Sequence, residues 1–190
     1  MAQLRLLMKQ AGIDFLETRE PGGTQLGEDL RQLLLGHKHT GMSDDAELLM
    51  MFASRAEHLQ QKILPALEAG QWVLCDRFTD ATYAYQGGGR GIPFSRIQTL
   101  ENWVQQGLKP NLTLLLDLPV VQGLERAGKR STPDRFESEA RAFFEKVRQS
   151  YLDLAASEPD RIQVIDSSLE LEDVLAQITT VVNNFLQRNP

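Results

Sequence analysis

The chain is poor in the features that mark secreted, membrane-spanning and nucleic-acid-binding proteins. Cys75 is the single cysteine among 190 residues, so no disulfide can form within the chain, and we expect a reducing, cytoplasmic setting. No apolar run approaches the roughly 18 residues that a membrane span needs, so we expect no membrane partner. The net charge of −6 argues against a nucleic-acid polymer as partner. The length fits one domain over residues 1–190.

Helical patterns alternate with short hydrophobic strands along the chain. The predicted strands are 13–18, 72–75, 112–118 and 162–165. This alternation is typical of a three-layer α/β fold with a parallel sheet, in which the apolar run 112–118 is covered on both faces. A long helix is predicted to begin behind Ser43 or Asp44 as its N-cap and to run towards Ala69. Pro65 should kink this helix or divide it in two.

Charged side chains follow the predicted strands at the points where the strands end. In a parallel sheet these ends lie on one rim, where ligands bind. The residues concerned are Arg19, Glu20, Asp76, Arg77, Asp117 and Asp166. They predict a charged crevice along this rim.

The first strand end leads into the turn TREPGGT, residues 18–24. The guanidinium of Arg19 suits phosphate oxygens, and the glycines allow backbone amides to approach an anion. An ordinary strand-to-helix turn, with Arg19 and Glu20 paired at the surface, explains the pattern equally well.

Two further segments carry side chains suited to a nucleotide. Phe52 and Arg55 share one face of the long helix, where they could stack on and bond a base, although a core position for Phe52 is the simpler interpretation. Asp76 could bind magnesium and Arg77 a phosphate, with a structural Asp–Arg pair as the alternative. The polar groups of 82–86 could read a base edge.

Positive charge is concentrated in one short stretch. Its members are Arg126, Lys129, Arg130 and Arg135. Residues 123–130 match the phosphate-loop spacing G-x-x-x-x-G-K, but arginine replaces Ser or Thr and the segment lies within a predicted helix. A mobile lid over about 126–137, whose arginines meet transferred phosphate charge, fits this stretch better.

Two other features predict surface positions rather than a site. The glycine run 87–91 lacks a Lys-Ser/Thr ending and a preceding strand, so we expect a flexible loop. The three histidines, His37, His39 and His58, show no metal-ligand spacing and are expected at the surface.

Four motifs, in this order and spacing, make the chain resemble bacterial thymidylate kinase along nearly its whole length. They are TREPGGT at 18–24, ELLMMFASR at 47–55, DRFTDATYAYQGGGRG at 76–91 and DRFE at 134–137. The resemblance implies the P-loop nucleoside-monophosphate-kinase fold and transfer of the terminal phosphate of ATP to thymidine monophosphate (dTMP). It also implies Mg²⁺ as cofactor and a homodimer.

The resemblance implies roles for individual residues on the base side of the acceptor. Phe52 would stack on thymine and Arg55 would bond its edge. Thr82 would contact the base, with Gln86 nearby.

On the phosphate side, Arg19 and Arg77 would hold the 5′-phosphate in a site that includes Glu20. Asp76 would support magnesium, through water. The arginines that would neutralise charge on the transferred group are Arg77, Arg126, Arg130 and Arg135.

One part of the family pattern is not found in the 190 residues. The family opens with a central strand and a glycine loop ending Gly-Lys-Ser/Thr, whereas residue 1 here already lies in the helix that follows them. We therefore expect a natural protein longer by about 15–25 residues, with Met1 an internal methionine or the chain a fragment. We also expect the strands ending at Asp76 and Asp117 to leave a gap or to close onto each other, and the 190-residue chain to have little kinase activity.

Two other functions fit the same residues. One is a noncatalytic nucleotide-binding protein that keeps the monophosphate pocket. The other is a kinase for a different nucleoside or deoxynucleoside monophosphate. Binding without turnover would favour the first, and competition among monophosphates would identify the second.

Overall fold

The computed structural model describes residues 1–128 and 134–188. Its helices are α1 (Ala2–Gln10), α2 (Gln25–Leu35), α3 (Asp44–His58), α4 (Leu64–Glu68), α5 (Thr79–Thr82), α6 (Phe94–Gln105), α7 (Val120–Gly128), α8 (Arg141–Ser157) and α9 (Leu171–Arg188). Its strands are β1 (Phe15–Arg19), β2 (Trp72–Asp76), β3 (Thr113–Asp117) and β4 (Ile162–Asp166). The predicted alternation is confirmed. None of the helices described is both long and apolar enough to cross a membrane.

Of the two predicted N-caps of helix α3, Ser43 is the one that the structure shows, and Asp44 is the first helical residue. The Ser43 hydroxyl accepts a hydrogen bond from the Ala46 backbone N–H at 3.3 Å. The helical path continues through a π-helical turn, Leu59–Ile63, into α4. Pro65 lies in the first turn of α4, where its missing N–H costs least. The irregularity expected at Pro65 therefore lies one turn earlier, in the wider π-helical turn.

The strands form two separate parallel pairs. β1 pairs with β2, with Arg19 opposite Asp76, and β3 pairs with β4, with Asp117 opposite Asp166. Within the described residues β2 and β3 do not pair with each other, so each pair keeps open edges. The parallel sheet is thus interrupted, and its four described strands form two two-stranded sheets.

The interruption leaves apolar strand residues uncovered. Leu116 of β3 is 52% exposed and Val164 of β4 is 47% exposed, although we expected the run 112–118 to be buried on both faces. Parallel strands are fully buried only when flanking strands and helices surround them. β4 is the one described strand that pairs with β3, so no strand on the other side of β3 helps to cover Leu116 within the described residues.

Most of the glycine run is helical, so the prediction of a loop there is wrong. Residues Tyr83–Gly89 form a π-helical turn that continues α5. A Cβ atom on Gly88 would collide with the Ser150 side chain, and one on Gly89 with the ring of Phe143. The glycines therefore allow α8 to pack directly against this turn, a contact that local sequence does not reveal.

Buried apolar side chains join the helices to the strands. Leu7, Ile165 and Val182 connect α1, β4 and α9. Phe52 and Ile97 connect α3 with α6. The contacts of Phe52 and Ile97 fix the position of α3 within the fold.

Candidate active site at the strand ends

The first strand pair brings four charged residues to one rim. Arg19 and Asp76 are register partners, and the Glu20 N–H donates to the Asp76 carbonyl at 3.0 Å. Arg77 follows β2 directly. Four of the six charged residues predicted for this rim thus lie at the ends of β1 and β2, and we call this group of four the crevice.

The aspartates of the second pair are engaged by neighbours. Asp117 accepts two hydrogen bonds from Arg148, at 2.7 and 2.8 Å. Hydrogen bonds from the hydroxyl and backbone N–H of Ser168 hold the pKa of Asp166 below its usual range. The carboxylate of Asp117 is therefore paired through both oxygens, whereas that of Asp166 is exposed and accepts through Oδ1.

Arg55 contacts the crevice through Glu20, and its two hydrogen-bond partners are buried with it. Its Nε donates to Glu20 Oε2 at 2.7 Å, and its Nη2 donates to Thr82 Oγ1 at 3.0 Å. The guanidinium carbon lies 4.8 Å from the ring centre of Phe52 and 5.1 Å from that of Phe78. Among the described residues, Arg55 Nη1 has no hydrogen-bond partner.

Glu20 does not form the surface pair with Arg19 that the sequence also allowed. It is 5% exposed and binds Arg55. Arg19 instead binds Glu28 at 2.9 Å, and Glu28 also accepts from the Gly23 N–H at 3.0 Å. The Gly23 amide and the Arg19 guanidinium lower the pKa of Glu28. Glu28 therefore fixes both the turn and the first arginine of the crevice.

Arg31 belongs to this cluster, and the sequence analysis missed it. Its Nη1 donates to the Pro21 carbonyl at 2.9 Å. Burial and the positive charges of Arg19 and Arg77 lower the pKa of Arg31. The sequence signal that could have identified Arg31 is its position three residues after Glu28 on α2, which places both side chains on one helix face.

Arg77 is held in an unusual backbone conformation. Its φ angle is +67°, in the left-handed region that side chains other than glycine rarely adopt. Its guanidinium carbon lies 5.1 Å from the ring centre of Tyr85. Such strain costs about 1–3 kcal/mol and is concentrated at functional sites.

The predicted base contacts are buried in this structure. Phe52 is 2% exposed and packs in the core, which supports the simpler interpretation of this residue. Thr82 and Gln86 are also buried. Thr82 accepts from Arg55, and the Gln86 amide donates to Glu47 at 2.8 Å.

Glu47 is a buried hub that the sequence analysis did not single out. Its carboxylate is 1% exposed and accepts from Gln86, from Arg90 at 3.2 and 3.3 Å, and from Arg135 at 2.6 Å. Arg135 also donates to the Leu34 carbonyl at 2.6 Å. The guanidinium of this predicted lid arginine is therefore engaged by α2 and α3.

The other two predicted lid arginines have different positions. Arg126 Nη1 donates to the Ser167 carbonyl at 2.8 Å, just after β4. Arg130 lies outside the described residues. Gly123 lies inside α7, which agrees with our rejection of a phosphate loop there.

His58 is completely buried, so its predicted surface position is wrong. It lies three residues after Arg55, on the same face of α3, and its ring contacts Thr18 and Glu20. Polar partners within the fold make this burial possible. No short-range sequence pattern identifies those partners.

Few carboxylates at the strand ends are available to hold a metal ion. Within residues 1–128 and 134–188, no group of three or more His, Cys, Asp or Glu side chains could enclose a metal ion. Asp76 is exposed at the end of β2, whereas Asp117 is paired with Arg148. This donor set fits a magnesium ion that keeps most of its waters, and does not fit a closed protein cage.

Comparison with known proteins identifies the family of the chain. The thymidylate kinase family profile matches residues 1–178. A thymidylate kinase of Nitrosomonas eutropha is 51% identical over 185 residues, covering 97% of this chain and 86% of that protein. A thymidylate kinase of Pseudomonas syringae pv. tomato is 53% identical over 180 residues, covering 95% and 86%.

A solved structure of a thymidylate kinase has a similar fold. The crystal structure of thymidylate kinase from Ehrlichia chaffeensis matches with a TM-score of 0.74 and 31% identity, over 95% of this chain and 89% of that one. The matched region contains the arginine crevice and the segments that build it. Because both sequence and fold match over nearly the whole chain, it belongs to the thymidylate kinase family, whose members transfer phosphate from ATP to dTMP.

Proposed function

We propose that the crevice at the ends of β1 and β2 is the acceptor site, in which dTMP receives the terminal phosphate of ATP. The observation that carries this proposal is the guanidinium of Arg55, which is 2% exposed. Its Nη1 has no hydrogen-bond partner among the described residues. A buried charged donor without a partner is costly, and an oxygen of a nucleobase would satisfy it.

The base side of the proposed site is built on α3 and the segment after β2. Thymine contacts Arg55 and Phe52, with Thr82 and Gln86 beside it. Because Phe52 is 2% exposed, stacking on its ring requires a neighbouring side chain to move when the base enters. Glu20 contributes by fixing the orientation of Arg55.

The phosphate side is supported by a concentration of positive charge. Arg19 and Arg77 hold the 5′-phosphate of dTMP, and Arg31 adds a third positive charge close to both. Arginine suits this task because its planar fork can bind two phosphate oxygens at once. Bringing positive charge together before the substrate arrives is the usual way that phosphoryl transfer is accelerated.

The proposal also assigns roles to a magnesium ion and to the lid arginines. Asp76 holds Mg²⁺ through water, and the bound ion neutralises charge on the phosphates of ATP. Of the lid arginines, Arg126 and Arg130 are the better candidates to meet the transferred group. Arg135 instead anchors the lid, because its guanidinium already binds Glu47 and a backbone carbonyl.

Binding of the ATP phosphates requires, in our proposal, a strand and a phosphate-binding loop between β2 and β3. Two observations support this requirement. β2 and β3 belong to separate sheets, and no Gly-Lys-Ser/Thr sequence follows any of the described strands. Without backbone amides and a lysine to bind ATP, transfer from ATP is slow even when dTMP is bound.

An ADP-release assay with dTMP, UMP, GMP and AMP tests both parts of the proposal. The 190-residue polypeptide is compared with a version extended at its N-terminus by the opening strand and loop of a family member. We expect little turnover from the first and dTMP-dependent turnover from the second. Rapid ADP release by the 190-residue polypeptide would overturn the donor requirement, and preference for another monophosphate would overturn the acceptor assignment.

We also propose a homodimer in a cytoplasmic setting. Leu49 on α3 and Trp103 on α6 remain 57% and 75% exposed, and these helices are neighbours in the fold. Exposed apolar side chains on neighbouring helices suit contact with a second copy. The free thiol of Cys75 is compatible with a reducing compartment.

A further inference from the structure

The ring of His58 joins two parts of the acceptor site. Its Nε2 lies 2.6 Å from Thr18 Oγ1 in β1, and its Nδ1 lies 3.0 Å from Glu20 Oε1 in the turn that follows. The ring is fully buried. A histidine on α3 therefore holds both the last part of β1 and the start of the turn.

The turn lies directly against this ring. A Cβ atom on Gly23 would lie 2.6 Å from His58 Nε2 and 2.7 Å from Thr18 Oγ1, closer than such atoms approach in proteins. Gly23 has φ +83°, which also favours glycine. The close packing leaves the imidazole little freedom to turn.

Donor and acceptor roles follow from the chemistry of Glu20. An ionised carboxylate can only accept, so His58 Nδ1–H donates to Glu20 Oε1. In the neutral ring Nε2 then accepts from the Thr18 hydroxyl. The other oxygen of Glu20 accepts from Arg55 Nε at 2.7 Å. Each oxygen of this carboxylate is thus bound to one side chain of α3.

We propose that His58 is a positioning residue for nucleobase recognition. It holds the Glu20 carboxylate in one rotation, and Glu20 in turn directs the guanidinium of Arg55 so that Nη1 faces the base. The inference rests on the acceptor site proposed above.

The physical reason is that a carboxylate with only one hydrogen-bond partner is free to rotate. When the hydrogen bond from His58 is absent, the Glu20 carboxylate can rotate about its last bond while it still binds Arg55. The guanidinium then follows the carboxylate, and Nη1 spends less time in the orientation that suits the base. The affinity for dTMP falls because the free energy of ordering these groups is then subtracted from the free energy of binding.

A double-mutant cycle between His58 and Arg55 separates this role from general support of the fold. Calorimetric titration measures dTMP affinity of the 190-residue chain and its H58A, R55M and H58A/R55M variants. We expect H58A to weaken dTMP binding about tenfold, and R55M more. In the R55M background, H58A should then have almost no further effect, because its action passes through Arg55.

Conservative variants keep the inference testable if H58A does not fold. His58→Gln retains a donor for Glu20 and should bind dTMP within about threefold of the unsubstituted 190-residue chain. Thr18→Val removes the second hydrogen bond of the ring and should weaken dTMP binding only when Arg55 is present. His39→Ala is the matched control, because His39 is exposed in the turn after α2. Thermal unfolding of each variant establishes that it is folded.

The outcomes distinguish this inference from the proposed function. Unchanged dTMP affinity in R55M would show that the acceptor site itself is assigned wrongly. Weak binding by R55M with unchanged affinity in H58A, or with equal losses from H58A in both backgrounds, would overturn the positioning role alone. Loss in His58→Gln as large as in H58A, with T18V unaffected, would also contradict it.

Discussion

Replacement of Glu47 by leucine should destabilise the folded chain by about 3–5 kcal/mol, because it leaves the buried guanidinium of Arg135 without its carboxylate. Glu47 is 1% exposed and accepts from Gln86, Arg90 and Arg135. Arg135 is itself 8% exposed, so water cannot replace the lost partner. A loss of this size is a large part of the roughly 5–15 kcal/mol that stabilises a typical domain. Urea denaturation followed by circular dichroism measures the change.

The control for Glu47 is an acid in an exposed ion pair. Asp45 binds Arg96 at 2.9 Å, and both side chains are more than half exposed. Its replacement by alanine should change stability little, because exposed pairs contribute little. If E47L were as stable as D45A, the buried hub would not stabilise the fold as described.

Replacement of Arg77 by methionine should weaken dTMP binding by roughly 10- to 100-fold, because a hydrogen bond to a charged group contributes about 1.5–3 kcal/mol. The variant keeps an unbranched side chain but loses the charge that we assign to the 5′-phosphate. Thymidine lacks this phosphate, so R77M and the unsubstituted chain should bind thymidine with nearly the same affinity. Calorimetric titration with both ligands separates the phosphate contact from a general disturbance of the site.

Arg141→Met is the matched control for Arg77. Arg141 is exposed at the start of α8, where it pairs with Glu145 at 3.1 Å. Its replacement should leave the affinity for dTMP unchanged. Equal losses for dTMP and thymidine in R77M would contradict a role in phosphate binding.

Features that depend on neighbouring residues could be read from the sequence. The Ser43 cap of α3 is such a case, since it joins groups three residues apart. The charged strand ends also follow from local pattern, because parallel strands place their carboxyl ends on one rim. For this reason the crevice formed by Arg19, Glu20, Asp76 and Arg77 could be predicted.

Features that depend on distant partners could not be read in this way. Glu47 and Arg135 are 88 residues apart, and nothing in either segment indicates that they pair. The burial of His58 depends on Thr18 and Glu20, 40 and 38 residues away. The glycine run was likewise misinterpreted because its packing partner, α8, lies far along the chain.

The central claim is that the described residues contain a dTMP site built around Arg55 and Arg77. Calorimetric titration of the 190-residue chain with dTMP, in competition with UMP, GMP and AMP, tests it most directly. We predict saturable binding of one dTMP per chain that the other three monophosphates displace poorly. Absence of dTMP binding by the folded chain, or tighter binding of another monophosphate, would contradict the claim.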